Sequence, residues 1–386
     1  MSAVAPGDAR ALLRALVATD SRNPDLVPGA PGEGAVAQLL ANVLASWGFR
    51  VNVQEAAPGR PNVIATVGGG RGKSLLFNGH IDVVAVDTMT HAPFAAEETD
   101  GRLYGRGASD MKAGVAAMCA AAHRAIARGV AGTVTVAAVV DEEFKSIGTR
   151  ALIASGFRAD AAIVTEPTQL AIMPAHRGFT WVRVTCRGRA AHGSRYDLGV
   201  DAILHAAHVM RGLDDFQRSE LDARTHKLLG HASLHAGTIA GGSGWSTYPE
   251  ECRLEIERRT LPGETGDDVV AEIQHVCDRV RQSVPGLRAD VEHVFSQLPS
   301  DVAEDAPICS ALADALRGCG EPVRVAGMSA WTDAALLNAA GIPAICFGPG
   351  DMMLAHANAE WVELAEVDRA ADVLAQLAVR WCATAA

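Results

Sequence analysis

The sequence predicts an α/β protein: a mixed, mostly parallel sheet with helices on both faces, interrupted by a smaller α+β domain. Three observations lead there. Short apolar runs alternate with helical stretches in the first and last parts of the chain, the pattern of strands joined by covering helices. The texture changes near Gly178 to strands with more polar–apolar alternation, and changes back after about Phe295. The length of 386 residues exceeds one ordinary core and suits two domains.

In order, MSAVAPGDARALLRALVATD reads as an amphipathic helix, and Ala35 to Trp47 as a second helix that stops at Gly48. Strands are expected at Val51 to Gln54, Asn62 to Val67, Ser74 to Phe77, Thr133 to Val140 and Ala161 to Val164, with a long helix from Lys112 to Arg128. The middle segment offers a strand at Thr180 to Arg187, a helix at Val200 to Arg211, further strands, and a helix at Asp267 to Ser283. Helices at Ala306 to Arg317 and Thr332 to Ala339 and a strand at Ala344 to Phe347 resume the first style. The expected domains are therefore 1–177 with 296–386, and an insert at 178–295.

Composition narrows the function. The formal charge is -11 and the basic residues are scattered, which argues against a nucleic-acid or anionic-membrane partner. Eight cysteines without a C-x-x-C pair suit free thiols in a reducing compartment. The N-terminal stretch lacks the basic and apolar regions of a secretion signal, and no apolar run approaches the roughly 20 residues that span a bilayer. A cytoplasmic protein is the expectation.

The chemistry sits in short motifs. SLLFNGHIDVV places His80 and Asp82 two apart after a buried strand, on one face if the chain stays extended. A carboxylate there can accept the second ring N–H of a ligating histidine. GRGASDMKAG sets Asp110 in a Gly-rich turn opening a helix; it reads as a helix cap or as a carboxylate turned inward. The strand TVTVAAVV runs into Asp141, Glu142 and Glu143, and AAIVTEPT ends in Glu166. Acids at the carboxyl ends of buried strands are costly unless solvated, paired or bound to a cation, and those ends are where open α/β sheets bind ligands. His356 follows an apolar strand and a Gly-Pro-Gly loop. Two histidines and three carboxylates form a zinc-type donor set. One carboxylate shared by two ions makes a hydrolytic site from five ligands, and leaves Glu142 free as general base.

Taken together, GHIDVV, GRGASDMKAG, DEE, TEPT, HRG, GRAAHGS, ERRTLPGE and AHANAEWV resemble, nearly end to end, the zinc-dependent deacylases and exopeptidases that include acetylornithine deacetylase, succinyl-diaminopimelate desuccinylase, aminoacylase and glutamate carboxypeptidase. The resemblance implies a zinc exopeptidase-like catalytic domain with a ferredoxin-like dimerisation and lid domain. It also implies two Zn2+ per chain, with Co2+ a possible substitute. Asp110 would bridge the ions, with His80 and Glu166 on one and Glu143 and His356 on the other. Glu142 would be the base and Asp82 the partner of His80. His192 would reach the active site of the partner subunit in a homodimer and stabilise the oxyanion, and Arg259 would bind the substrate carboxylate. Glutamate at 166, where aminopeptidase members tend to have aspartate, favours deacylase or carboxypeptidase chemistry.

The expected substrate is a small N-acyl amino acid, cleaved at an amide bond next to a carboxylate. A dipeptide, cleaved by a carboxypeptidase or dipeptidase, is the alternative, and a catalytically silent binding protein on this scaffold is a rival of another class. Ser246, where the family often has asparagine, departs from the pattern, and Trp245, Ser246 and Tyr248 are expected to reshape the pocket.

Overall fold

A computed structural model describes residues 4–383. Met1–Ala3, the start of the expected first helix and first domain, and residues 384–386, the end of that domain, lie outside the described residues. The chain divides into two compact units, one comprising Met1–Pro174, Val302–Ala326 and Thr332–Ala386, the other Ala175–Asp301 with Gly327–Trp331.

The first unit is built on a mixed sheet in which the strands Arg50–Ala57, Arg60–Gly68, Thr133–Val139, Ser74–His80, Ala161–Val164 and Ala344–Cys346 lie side by side in that order. The last four run parallel, and the first two add an antiparallel edge. Both faces are covered in the middle of the sheet, because neighbouring residues of one strand point to opposite faces and Leu75 to His80 are all buried. Leu75 and Phe77 enter the large core with the helices Ala9–Val17, Gly34–Ser46, Ala113–Ala127, Pro307–Gly318 and Leu364–Ala383, while Leu76 is equally buried outside that core. The Ser74 strand runs three residues further than its apolar run implies: Asn78, Gly79 and His80 pair in parallel register with Ala137, Ala138 and Val139. Ladder hydrogen bonds carry it where hydrophobicity stops.

The second unit has four antiparallel strands, in the spatial order Ser233–Gly241, Glu251–Thr260, Gly178–Arg187, Arg288–Gln297. With the helices Ala202–Phe216 and Gly266–Ser283 in the connections, this is the ferredoxin-like arrangement. One face is apolar: Val182, Val184, Leu254 and Ile256 pack with Val209, Ile273 and Val276 of the helices. The alternate residues include charged ones, and Arg183 pairs with Glu255 and Glu292. Asp201 caps the first helix, and Thr265 with Asp268 forms a capping box on the second. No helix among the described residues is long and apolar enough to cross a membrane.

Candidate metal centre and active site

Parallel strands place their carboxyl ends along one edge, and four adjacent ends supply this site. His80 is the last residue of its strand, Glu142 and Glu143 follow the Thr133–Val139 strand, Glu166 follows Ala161–Val164, and His356 follows Ala344–Cys346 after the Gly-Pro-Gly loop. Asp141, at φ 68, turns the chain so that the two glutamates leave the strand. Asp110 arrives from a different element. It caps no helix; its φ and ψ are -117° and 100°, within an irregular turn from Ala108 to Lys112 that contains a cis Asp110–Met111 peptide and precedes the Ala113–Ala127 helix.

The donors gather into two groups that share Asp110. His80, Asp110 and Glu166 form one and Asp110, Glu143 and His356 the other, with the ligand atoms of each within 4.8 Å of one another. Asp110 faces both ways: Oδ1 lies 3.1 Å from Nε2 of His80, and Oδ2 lies 3.6 Å from Nε2 of His356. His356 Nε2 also lies 2.9 Å from Glu143 Oε2. His80 is enclosed, whereas the His356 side chain is 55% exposed, so the cluster opens to solvent on the His356 side.

Electrostatics tests whether cations fit. Burial pushes the carboxyls of Glu142 and Glu166 well above the usual carboxylate range and raises Glu143, and neighbouring acids add to each shift. For Asp110, burial is outweighed by the hydrogen bond and charge of His80 and by His356 and Arg106, which lower its pKa. The hydrogen bond to Glu143 raises His356 to about 9. For His80, burial is overcome by Asp110, Glu142 and Glu166, and its pKa rises well above normal. A pocket that crowds acids this closely calls for positive charge, and histidine nitrogens mixed with carboxylates fit a borderline divalent metal.

Glu142 belongs to neither donor group. Its Oε2 lies 3.9 Å from His80 Nε2. Asp82 is fully buried beside it, and its own backbone carbonyl, 3.0 Å from His80 Nδ1, accepts that ring N–H. The Asp82 carboxylate is 3.6 Å from Nδ1 and accepts the amides of Glu142 and Glu143 at 3.1 and 3.3 Å, and the Asn23 side chain at 2.8 Å.

His192 and Arg259 belong to the second unit. His192 is exposed on the surface of that unit, its Nδ1 2.8 Å from Ser194 Oγ. Arg259 donates to Glu257 at 2.6 Å and lies over the Phe179 ring at 5.4 Å. Arg258, on the opposite face of the strand, is buried and paired with Glu264.

Two buried acids near the centre carry no role in the sequence reading. Asp333, its pKa raised by burial to about 6, accepts a hydrogen bond from Thr149 Oγ1 at 2.6 Å. In the sequence it is one more polar residue before a short helix. Glu360 lies four residues after His356, a spacing that was visible but had no chemistry attached until its partners were in place.

The fold and this cluster define a hydrolase of the metallopeptidase class. Residues 76–380 match the model of peptidase family M20/M25/M40, and the chain belongs to that family of amide-bond hydrolases. It is 30% identical over 338 residues to acetylornithine deacetylase of Myxococcus xanthus, covering 86% of each chain. It is 28% identical over 388 residues to N-formyl-4-amino-5-aminomethyl-2-methylpyrimidine deformylase of Bacillus subtilis, covering 92% of this chain and 91% of that one. In fold it is similar to a tripeptidase from Staphylococcus aureus, with a TM-score of 0.82 at 20% identity over 99% of this chain and 100% of the other. A dinuclear metal-binding peptidase from Bacillus subtilis gives 0.75 at 18% identity, over 97% and 98%.

Proposed function

We propose that this protein is a di-zinc deacylase that removes the acyl group from an N-acyl amino acid. The observation that carries the reading is the two-sided placement of Asp110, one oxygen toward His80 and the other toward His356, with Glu166 and Glu143 completing the two groups. His80, Asp110 and Glu166 would hold one ion, and Asp110, Glu143 and His356 the other. Bound there, zinc or a substituting cobalt supplies Lewis acidity and acidifies a water enough for attack at neutral pH. Glu142 takes the proton of the attacking water and delivers it to the leaving nitrogen. Glu142 lies close to His80 yet belongs to neither donor group, which leaves its carboxylate free for that work.

Arg259 recognises the substrate carboxylate with its guanidinium fork. The second unit serves as the lid and dimerisation domain, and the partner's His192 completes the oxyanion site. What supports a homodimer is the Ser233–Gly241 strand, at the edge of its sheet, mostly exposed, with Ile239 on the outside. A cytoplasmic setting agrees with eight free thiols.

Deacylation is favoured by the acetylornithine deacetylase and deformylase relatives, which span most of this chain. The test is a panel of N-acetyl, N-formyl and N-succinyl amino acids beside dipeptides, run on metal-loaded protein. Turnover confined to N-acyl amino acids is the expected result. Preference for dipeptides would replace this reading with a peptidase, and inactivity across the panel with a binding protein.

A further inference from the structure

The turn that carries Asp110 has little secondary structure to hold it. Its residues are buried and the dihedrals of Asp110 and Met111 break the helix, so the amides of Gly107, Ser109 and Asp110 need acceptors from elsewhere. All three go to one side chain. Glu360, fully buried, accepts Ser109 N–H at 2.9 Å and Asp110 N–H at 3.0 Å on Oε1, and Gly107 N–H at 3.0 Å on Oε2. Arg106, also buried, donates to the same Oε2 at 2.8 Å and offsets the charge.

Glu360 is itself fixed by backbone pairing. The Trp361–Glu363 strand runs antiparallel to Arg102–Tyr104, with Trp361 opposite Tyr104, and Glu360 accepts the Gly105 N–H through its carbonyl at 3.2 Å. Glu360 thus belongs to the segment that delivers His356 while its carboxylate holds the segment that delivers Asp110. A second tie joins the same two regions: Ser109 Oγ donates to the Asp351 carbonyl at 3.1 Å and accepts the Asp351 N–H at 3.0 Å.

We propose that Glu360 is a positioning residue for the shared ligand, setting Asp110 between the two donor groups and coupling its placement to that of His356. The proposal rests on the two-ion reading above. A glutamine in its place keeps the shape but turns an NH2 donor toward groups that are themselves donors, so the turn loses an acceptor and the Arg106 guanidinium its counter-charge.

The experiment is a cobalt titration of metal-free full-length protein, followed by calorimetry and visible absorption, with wild type, Glu360→Gln and Glu360→Asp, and kinetics on each loaded form. Wild type is expected to take up two ions. In E360Q at least one ion should bind about tenfold or more weakly, as for other residues that orient metal ligands. Its cobalt spectrum should shift, and kcat should fall while KM stays within about twofold of wild type. Glu360→Asp keeps the charge on a shorter arm and should recover part of the affinity. Wild-type affinity and spectrum in E360Q overturn the proposal; if that variant does not fold, the same result in E360D overturns it. A wild type that takes up no cobalt removes the two-ion reading and this proposal with it, and is distinguishable from a wild type and a variant that bind two ions equally well.

Discussion

The carboxylate of Asp82 holds Glu142 through the backbone, accepting its amide N–H at 3.1 Å, while the Asp82 carbonyl takes the ring N–H of His80. One residue therefore orients His80, the proposed metal ligand, with its main chain and the turn that bears Glu142, the proposed base, with its side chain. Asp82→Asn leaves one acceptor oxygen where two amides and Asn23 now converge. We expect kcat to fall about 10- to 100-fold with metal content nearly intact, measured by steady-state kinetics beside metal analysis. Full activity in the variant would mean that the backbone bonds alone suffice.

Glu142→Ala should lower turnover about 100- to 10,000-fold, the usual loss for a general base, while the protein still carries close to two ions. Metal analysis on the purified variant is the check. Loss of an ion would make Glu142 a ligand and move the base elsewhere.

If the partner's His192 works in trans, His192→Ala and Glu142→Ala are each inactive, yet a mixture of the two subunits regains part of the wild-type rate, because one site in a heterodimer has both groups. Activity on co-refolding or subunit exchange reads this directly. A mixture no better than its components would return His192 to an ordinary surface residue.

Metal-free protein should unfold at a lower temperature than the loaded form, since ions that bind only the native state stabilise it by mass action. Chelation followed by zinc or cobalt add-back, monitored by thermal unfolding, should restore both melting temperature and activity. An unchanged melting temperature would count against ions at these buried carboxylates.

His176 offers a pH-dependent prediction away from the centre. It is buried, its Nε2 has no hydrogen-bond partner among the described residues, and burial lowers its pKa from 6.5 to about 4. The unfolded chain binds this proton first as pH falls, so the contribution of His176 to stability is complete above pH 6.5 and is lost on acidification toward pH 4. Between pH 7 and pH 5 the loss is about 2 kcal/mol. Urea unfolding at those two pH values should show a smaller acid loss in His176→Gln than in wild type; equal losses would mean the ring gains a proton without penalty.

Much of the centre was legible because its donors follow strand ends, and strand ends are marked by apolar runs. His80, Glu143, Glu166 and His356 were found that way and come together with Asp110 in the two donor groups. Asp110 itself could be read as a helix cap, because a Gly-rich turn before a helix is compatible with both; only the dihedrals of the turn show that it is not one. Asp333 and Glu360 carried no usable signal. Each is a single acid whose meaning lies in partners 184 residues away for Asp333 and about 250 for Glu360, and no local pattern encodes such a pairing.

The sequence by itself determined the class of fold, the alternation of strands and helices, and the residue types able to hold metal. Hydrophobic periodicity and local turn chemistry act over a few residues, so a single chain can be read for them. Only the tertiary structure decided which oxygen of Asp110 faces which histidine, that the Asp82 carbonyl rather than its carboxylate takes the His80 proton, and that the amides of Gly107, Ser109 and Asp110 converge on Glu360. Those outcomes depend on strand order and on buried amides finding acceptors across the fold, which is settled when the whole core closes and not before.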